Sequence, residues 1–290
     1  MKHLYKAVAL FLLFGVSVFL FRKMIPEASV GTSSATELQT ATFPIMYLQL
    51  GNDYTINTLH GYSSELNSSS VRDSITPLSS DKSFYIKLKE NKLKIKKLTY
   101  SLKDIANNRV IETNTLTAFD LKNGYKTLKI KLSESIDTST EYGMCFTLTT
   151  SMSKKIYFYT RIKYYDNTDF FLKQKLEFVT NFHNATFKQN KKFKYQSYLE
   201  SNTSSNSSYA DVDINSSPEL VTWGKLSPKV ISETIPTIKE INVETAAIQY
   251  QYYVRAKTSS GNETFLIKEF YRVRYSGGRI YLLYFKRNME

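Results

Sequence analysis

The sequence predicts a mainly β protein in which two antiparallel strand-rich units are joined by one helix, behind an N-terminal transmembrane helix. Three observations lead there. From residue 41 onward apolar and polar residues alternate with period two between turn residues, the pattern of half-buried antiparallel strands. The aromatic residues are mostly Tyr (22) and Phe (18), and with many Thr, Ile and Val they favour pleated strands over helix. Residues 7–21 form an uncharged, mostly apolar run, with Lys2 and Lys6 before it and Arg22 and Lys23 after it.

That run of about 15 residues is short for a span, which needs about 20. Leu4 and Tyr5 on one side and Met24 and Ile25 on the other extend it, with Lys6 reaching back to the interface, so residues 4–25 are long enough to cross a bilayer. The following RKMIPEASVGTSSA offers no good small-x-small cleavage site, and a basic pair directly after the apolar run disfavours a cleaved leader. Residues 1–24 therefore read as an uncleaved signal anchor and 25–40 as a linker to the body. Basic residues flank the run on both sides, so charge alone does not orient it. The order basic, apolar, small polar linker, strand-rich body is that of exported chains, which places the body outside the cell membrane on a single-pass anchor.

The body divides into a strand unit at 41–165, a connecting helix at 166–190, a polar loop or linker at 191–217 and a second strand unit at 218–290. In the first unit a turn at Gly51, Asn52 and Asp53 ends the opening strand. Phe84, Ile86 and Leu88 then alternate with Tyr85, Lys87 and Lys89. Leu93 and Ile95 follow, and the apolar set moves to even positions at Leu98, Tyr100 and Leu102. A slip of one residue reverses every side chain, so a bulge or a change of sheet is expected at Lys96 and Lys97. Leu128, Ile130 and Leu132, then Tyr142, Met144, Phe146 and Leu148, then Ile156, Phe158, Thr160 and Ile162 form further inward sets. Such strands at such spacing read as a β-sandwich of immunoglobulin or fibronectin III type, without the Cys, Trp, Cys signature of true immunoglobulin domains.

In the connecting segment Asn167, Thr168 and Asp169 offer N-caps, and Leu172, Leu176, Val179 and His183 follow at helical spacing. His183 thus lies on the apolar stripe, as a packed, hydrogen-bonded side chain rather than a ligand. In the second unit Ala246, Ile248, Tyr250, Tyr252 and Val254 mark a buried face, and Trp223 is expected to plug the core where the unit begins.

No reaction is named by the sequence. Histidine occurs only at 3, 60 and 183, without HExxH or any paired metal spacing, and there is no G-x-S-x-G elbow, phosphate loop or dinucleotide loop. Two S-x-x-K matches, Ser79 to Lys82 and Ser151 to Lys154, sit in turn-like segments rather than at helix starts. Acid pairs such as Asp211 with Asp213 read as solvated loop residues. No catalytic, cofactor or metal residue is assigned. The single cysteine, Cys145, rules out an internal disulfide and, lacking electropositive neighbours, reads as a small packed residue.

The net charge of +13 favours an anionic partner, but the lysines are spread through every segment. The densest basic and aromatic stretch is EFYRVRYSGGRIYLLYFKR, residues 269–287. With Gly277 and Gly278 as a two-residue turn, Ser276 faces Arg279. Tyr275 then pairs with Ile280, Val273 with Leu282, Tyr271 with Tyr284 and Glu269 with Lys286 on a core face. The other face carries Arg274 opposite Tyr281, Arg272 opposite Leu283, Phe270 opposite Phe285 and Lys268 opposite Arg287. Lys268, Arg272, Arg274 and Arg287 are accordingly the candidate surface for an anionic partner. These readings point to a membrane-anchored extracytoplasmic binding, scaffold or signalling-accessory protein of the bacterial envelope. Its partner would be an envelope protein or an anionic wall polymer, not nucleic acid. The alternative is an envelope enzyme acting on glycans through residues that no motif marks.

Overall fold

The computed structural model describes residues 6, 14–15, 17, 43–51, 54–67, 70–78, 80–138, 140–165, 170–187, 192–201 and 208–290. The chain divides into a unit Met1–Ala41 and a unit Thr42–Glu290. In the first unit residues 6, 14, 15 and 17 are helical, and the expected anchor and linker otherwise lie outside the described residues. Among the described residues no helix is long and apolar enough to cross a membrane.

The second unit is mainly β, as the alternating pattern requires. Its first ten strands are β1 (Ile45–Leu50), β2 (Tyr54–Leu59), β3 (Ile75–Leu78), β4 (Ser83–Lys89), β5 (Ile95–Asp104), β6 (Val110–Leu116), β7 (Asp120–Lys122), β8 (Tyr125–Lys131), β9 (Glu141–Thr150) and β10 (Lys155–Tyr164). They form two five-stranded sheets, ordered β2-β1-β4-β8-β7 and β3-β10-β9-β5-β6, antiparallel except where β3 runs parallel to β10. The two sheets pack face to face, with Phe84 of β4 edge-on to Phe146 of β9 at 6.2 Å. Both rings are fully buried, and each contributes about 1.5–3 kcal/mol relative to exposure. The change of parity at Lys96 and Lys97 has a structural cause. The chain crosses from the first sheet to the second between β4 and β5, and β5 opens with a bulge between Ile95 and Lys97 against β9.

After this sandwich come helix α1 (Leu172–Thr186), strand β11 (Asp211–Asp213), the one-turn helix α2 (Pro218–Val221), and strands β12 (Lys229–Val230), β13 (Thr237–Ile241), β14 (Thr245–Thr258), β15 (Gly261–Ser276) and β16 (Arg279–Met289). The third sheet runs β11-β16-β15-β14-β12, with β13 also on β14. The expected N-caps Asn167, Thr168 and Asp169 lie outside the described residues; Phe171 occupies the cap position. Leu172, Leu176, Val179 and His183 are all buried, so the expected stripe is the packed one. Part of the stretch expected to be polar linker belongs to the sheet: β11 pairs with β16, and Val212 and Ile214 are buried. Two apolar side chains one residue apart in a polar run are too short a pattern to mark a strand.

The sandwich and the third sheet are joined through Asn57, which is fully buried with φ 51°. Its backbone N–H donates to Pro236 O at 2.9 Å. Its side-chain amide donates to Ile75 O at 2.9 Å and to Thr76 Oγ1 at 3.2 Å, while its carbonyl oxygen accepts from Ile238 N at 2.8 Å. One side chain thus ties β2 to β3 and to β13. Asparagine suits the position because it tolerates the left-handed region and carries both donor and acceptor.

Candidate functional site

The hairpin of β15 and β16 makes the site. Gly277 and Gly278 take φ 58° and 75°, the positive values that a tight two-residue turn requires at both positions. Ser276 faces Arg279, Tyr275 faces Ile280, Arg274 faces Tyr281 and Val273 faces Leu282, as the sequence register has it. Then the ladder shifts. Arg272 faces Tyr284, Tyr271 faces Phe285, Phe270 faces Lys286, Glu269 faces Arg287 and Lys268 faces Asn288. Leu283 is an extra residue in β16, a bulge that reverses the faces of everything after it.

Four expectations are corrected by that single residue: Tyr284, expected in the core opposite Tyr271, is 42% exposed, Phe285, expected on the outer face, is fully buried, and Lys286 and Arg287 exchange faces likewise. Arg287, expected on the exposed face, has 0% exposure, and Lys286, expected opposite Glu269 in the core, lies on the outer face. The exchange has a physical reason. The core position is bounded by the carbonyls that end α2 and by the Trp223 ring. Arg287 donates to Val221 O at 2.8 Å and Leu220 O at 2.7 Å and lies 3.5 Å over Trp223. A planar guanidinium satisfies that set in a way a lysine ammonium does not.

The inner face holds a buried polar network. The Glu269 carboxylate, fully buried, is 2.7 Å from His183 Nδ1 and accepts from Tyr252 OH at 2.9 Å and Tyr271 OH at 2.8 Å. Burial by itself would raise the Glu269 pKa, but the charge and hydrogen bond of His183, the nearby Arg287 and the Tyr271 hydroxyl hold it below the ordinary carboxylate range. Burial drives the Tyr252 and Tyr271 hydroxyls well above their usual range, with the Glu269 charge adding to it. His183 stacks on Tyr250 with centroids 4.8 Å apart. It is therefore the packed, bonded histidine its helical position implies. The network sits within the core and serves to fix the packing of α1 on β14, β15 and β16.

The outer face is open. Lys268, Phe270 and Arg272 of β15, Leu283, Tyr284, Lys286 and Asn288 of β16, and Gln249 of β14 line a groove of about 700 Å³. Phe270 and Tyr284 meet edge to face at 6.0 Å and form its apolar floor. Tyr281, Leu283 and Tyr284 are 42%, 43% and 42% exposed, three large apolar side chains within four residues of one strand. The guanidinium of Arg274 lies 5.4 Å over the Tyr281 ring, and among the described residues no carboxylate pairs with it. Lys268 pairs with Glu290 at 2.8 Å, Arg272 with Glu240 at 2.7 Å and Lys286 with Asp211 at 3.1 Å. Such solvent-screened pairs contribute little to stability, so a bound anion displaces the acids at little cost. Glu269 also borders the groove, but its carboxylate is engaged on the inner side. Of the four residues assigned from sequence, Lys268, Arg272 and Arg274 thus share one face, Arg287 does not, and Lys286 takes its place.

A second cleft, of about 790 Å³, lies between the sandwich and the third sheet, with Tyr47, His60, Asp73, Glu233 and Lys239 among its lining. Its polar groups are largely engaged in holding the seam. Tyr47 OH donates to Glu233 Oε2 at 2.6 Å, and Lys239 Nζ donates to Asp73 O at 2.6 Å. Among the described residues no three His, Cys, Asp or Glu side chains converge to hold a metal. Cys145 is buried on the outer face of its sheet, and burial pushes its thiol up despite hydrogen bonds with Tyr159 and Thr147. No protein-family model matches the chain, and no curated protein matches it either.

Proposed function

We propose that the chain is a membrane-anchored binding or scaffold protein of the bacterial envelope, with the outer face of the third sheet as its docking surface for an anionic partner. On this reading residues 1–24 hold it in the cell membrane as an uncleaved anchor, and the body from Thr42 onward stands outside. The observation that carries the proposal is the composition of that face. A row of exposed apolar side chains, Tyr281, Leu283 and Tyr284, lies among Lys268, Arg272, Arg274 and Lys286 over a groove of about 700 Å³. Scattered apolar side chains on a surface need no explanation, whereas a contiguous group beside a groove marks an interaction site.

The sandwich fits a scaffold of the immunoglobulin type, which commonly carries binding surfaces without catalytic machinery. On this reading β1-β4-β8-β7 take the places A-B-E-D and β10-β9-β5-β6 the places G-F-C-C′, with β2 and β3 as additional edge strands.

The double substitution Arg272→Ala and Arg274→Ala tests the function. Both side chains are exposed, so the folded body should change in stability by no more than about 0.5–1 kcal/mol. After removal of membrane lipid with a neutral detergent, the unsubstituted full chain should stay with the sedimented envelope and the double variant should be released. Unfolding of the variant would show the two arginines to be structural. Recovery of the unsubstituted chain in the soluble cytoplasm would overturn the proposal altogether.

A further inference from the structure

We infer that the ligand of this groove is an acidic polysaccharide whose charges are separated by uncharged sugar rings, an inference that rests on reading the outer face as the docking surface. Outward residues two apart on a strand stand about 6.7 Å apart, so Lys268 and Arg272 are about 13 Å apart with Phe270 between them. On the neighbouring strand Lys286 lies beside Phe270, and Tyr284 lies beside Arg272. Along β15 the face therefore runs cation, aromatic ring, cation, and across the two strands a ring and a cation lie side by side in each of the pairs Phe270 with Lys286 and Arg272 with Tyr284. Two linked sugar rings bridge a backbone gap of that order within the reach of two long cationic side chains, so a chain with one carboxylate or phosphate per two rings can meet both Lys268 and Arg272. Its apolar ring faces then rest on Phe270 and Tyr284.

The rest of the lining agrees with a sugar. Gln249 and Asn288 supply amide groups that donate to and accept from hydroxyls. The Phe270 and Tyr284 rings, with Leu283, give an apolar floor that a bare polyanion does not need. Arg274 over Tyr281 repeats the cross-strand pairing of Arg272 with Tyr284 beyond the groove, in line with a polymer longer than one repeat. A simple polyanion such as polyphosphate would be served by the cations alone and would gain nothing from the rings.

The test uses the full chain in neutral detergent with three probes: hyaluronan, with one carboxylate per two rings; polyphosphate, with charge and no ring; and dextran, with rings and no charge. Hyaluronan should bind more tightly than polyphosphate at equal charge concentration, and dextran should be retained weakly. Tyr284→Ser and Phe270→Ala should each weaken hyaluronan about fivefold or more while leaving polyphosphate unchanged. Tyr284→Phe, which keeps the ring, should retain hyaluronan binding and controls for folding. Equal binding of the two polyanions, or loss of both on removing the rings, would overturn the inference. If neither polyanion binds while the envelope is still held through Arg272 and Arg274, the polysaccharide is refuted and the docking surface stands.

Discussion

Arg287→Ala should destabilise the body by about 3–5 kcal/mol, while Lys286→Ala, one residue away on the open face, should leave its stability nearly unchanged. The contrast follows from the bulge at Leu283. Removing the Arg287 side chain leaves the buried Val221 carbonyl without its donor and the Leu220 carbonyl with only the Trp223 N–H, uncovers the Trp223 ring, and takes from Glu269 a nearby positive charge. Leaving such groups buried and unpartnered is the costly half of breaking an internal ionic arrangement. Among the described residues the ammonium of Lys286 pairs with the exposed Asp211. In an unbulged ladder the two residues would exchange faces and the two costs would be reversed. Urea unfolding of the two variants at one pH decides between the registers by the order of their midpoints.

A second large effect is expected far from the groove. Asn57→Ala should cost about 2–4 kcal/mol, because it strands the buried Ile238 N–H, removes two donors from β3 and places alanine in the left-handed region. Asn57→Gly separates the contributions, since glycine accepts φ 51° without penalty but makes none of the side-chain bonds. Its cost should be smaller than that of alanine by about 1 kcal/mol. Denaturant unfolding of the two variants measures the difference. An equal cost would mean that backbone strain at Asn57 is negligible, and no cost in either would mean that this residue does not couple the sandwich to the third sheet.

What was legible in the sequence, and what was not, comes down to where alternation carries information. At Lys96 and Lys97 two adjacent charged residues interrupt an otherwise regular pattern, so the change of parity can be placed to the residue, and a bulge lies there. In β16 the run from Ile280 to Phe285 is apolar at every position, so alternation gives no parity and the extra residue at Leu283 leaves no trace. The turn chemistry of Gly277 and Gly278 fixed the first pairs of the hairpin, and the error began where that local signal ended. For the same reason Lys268, Arg272 and Arg274, on the strand whose alternation is unbroken, lie on the face the sequence predicts, whereas Tyr284 with Phe285 and Lys286 with Arg287 exchange faces. The Asn57 tie lay beyond reach as well, because it joins residues 181 apart, and nothing local to β2 announces a partner in β13.

The central claim is that the partner covers the outer face of the third sheet. The most direct measurement is lysine acetylation of the full chain with and without isolated envelope, read residue by residue by mass spectrometry. Lys268 and Lys286 are exposed enough to react, with 39% and 36% of their side chains open. Both should become protected when envelope is present, while Lys96 and Lys131, exposed on the sandwich, should react as before. Unchanged reactivity at Lys268 and Lys286, with protection at Lys96 or Lys131 instead, would place the partner on the sandwich and contradict the account.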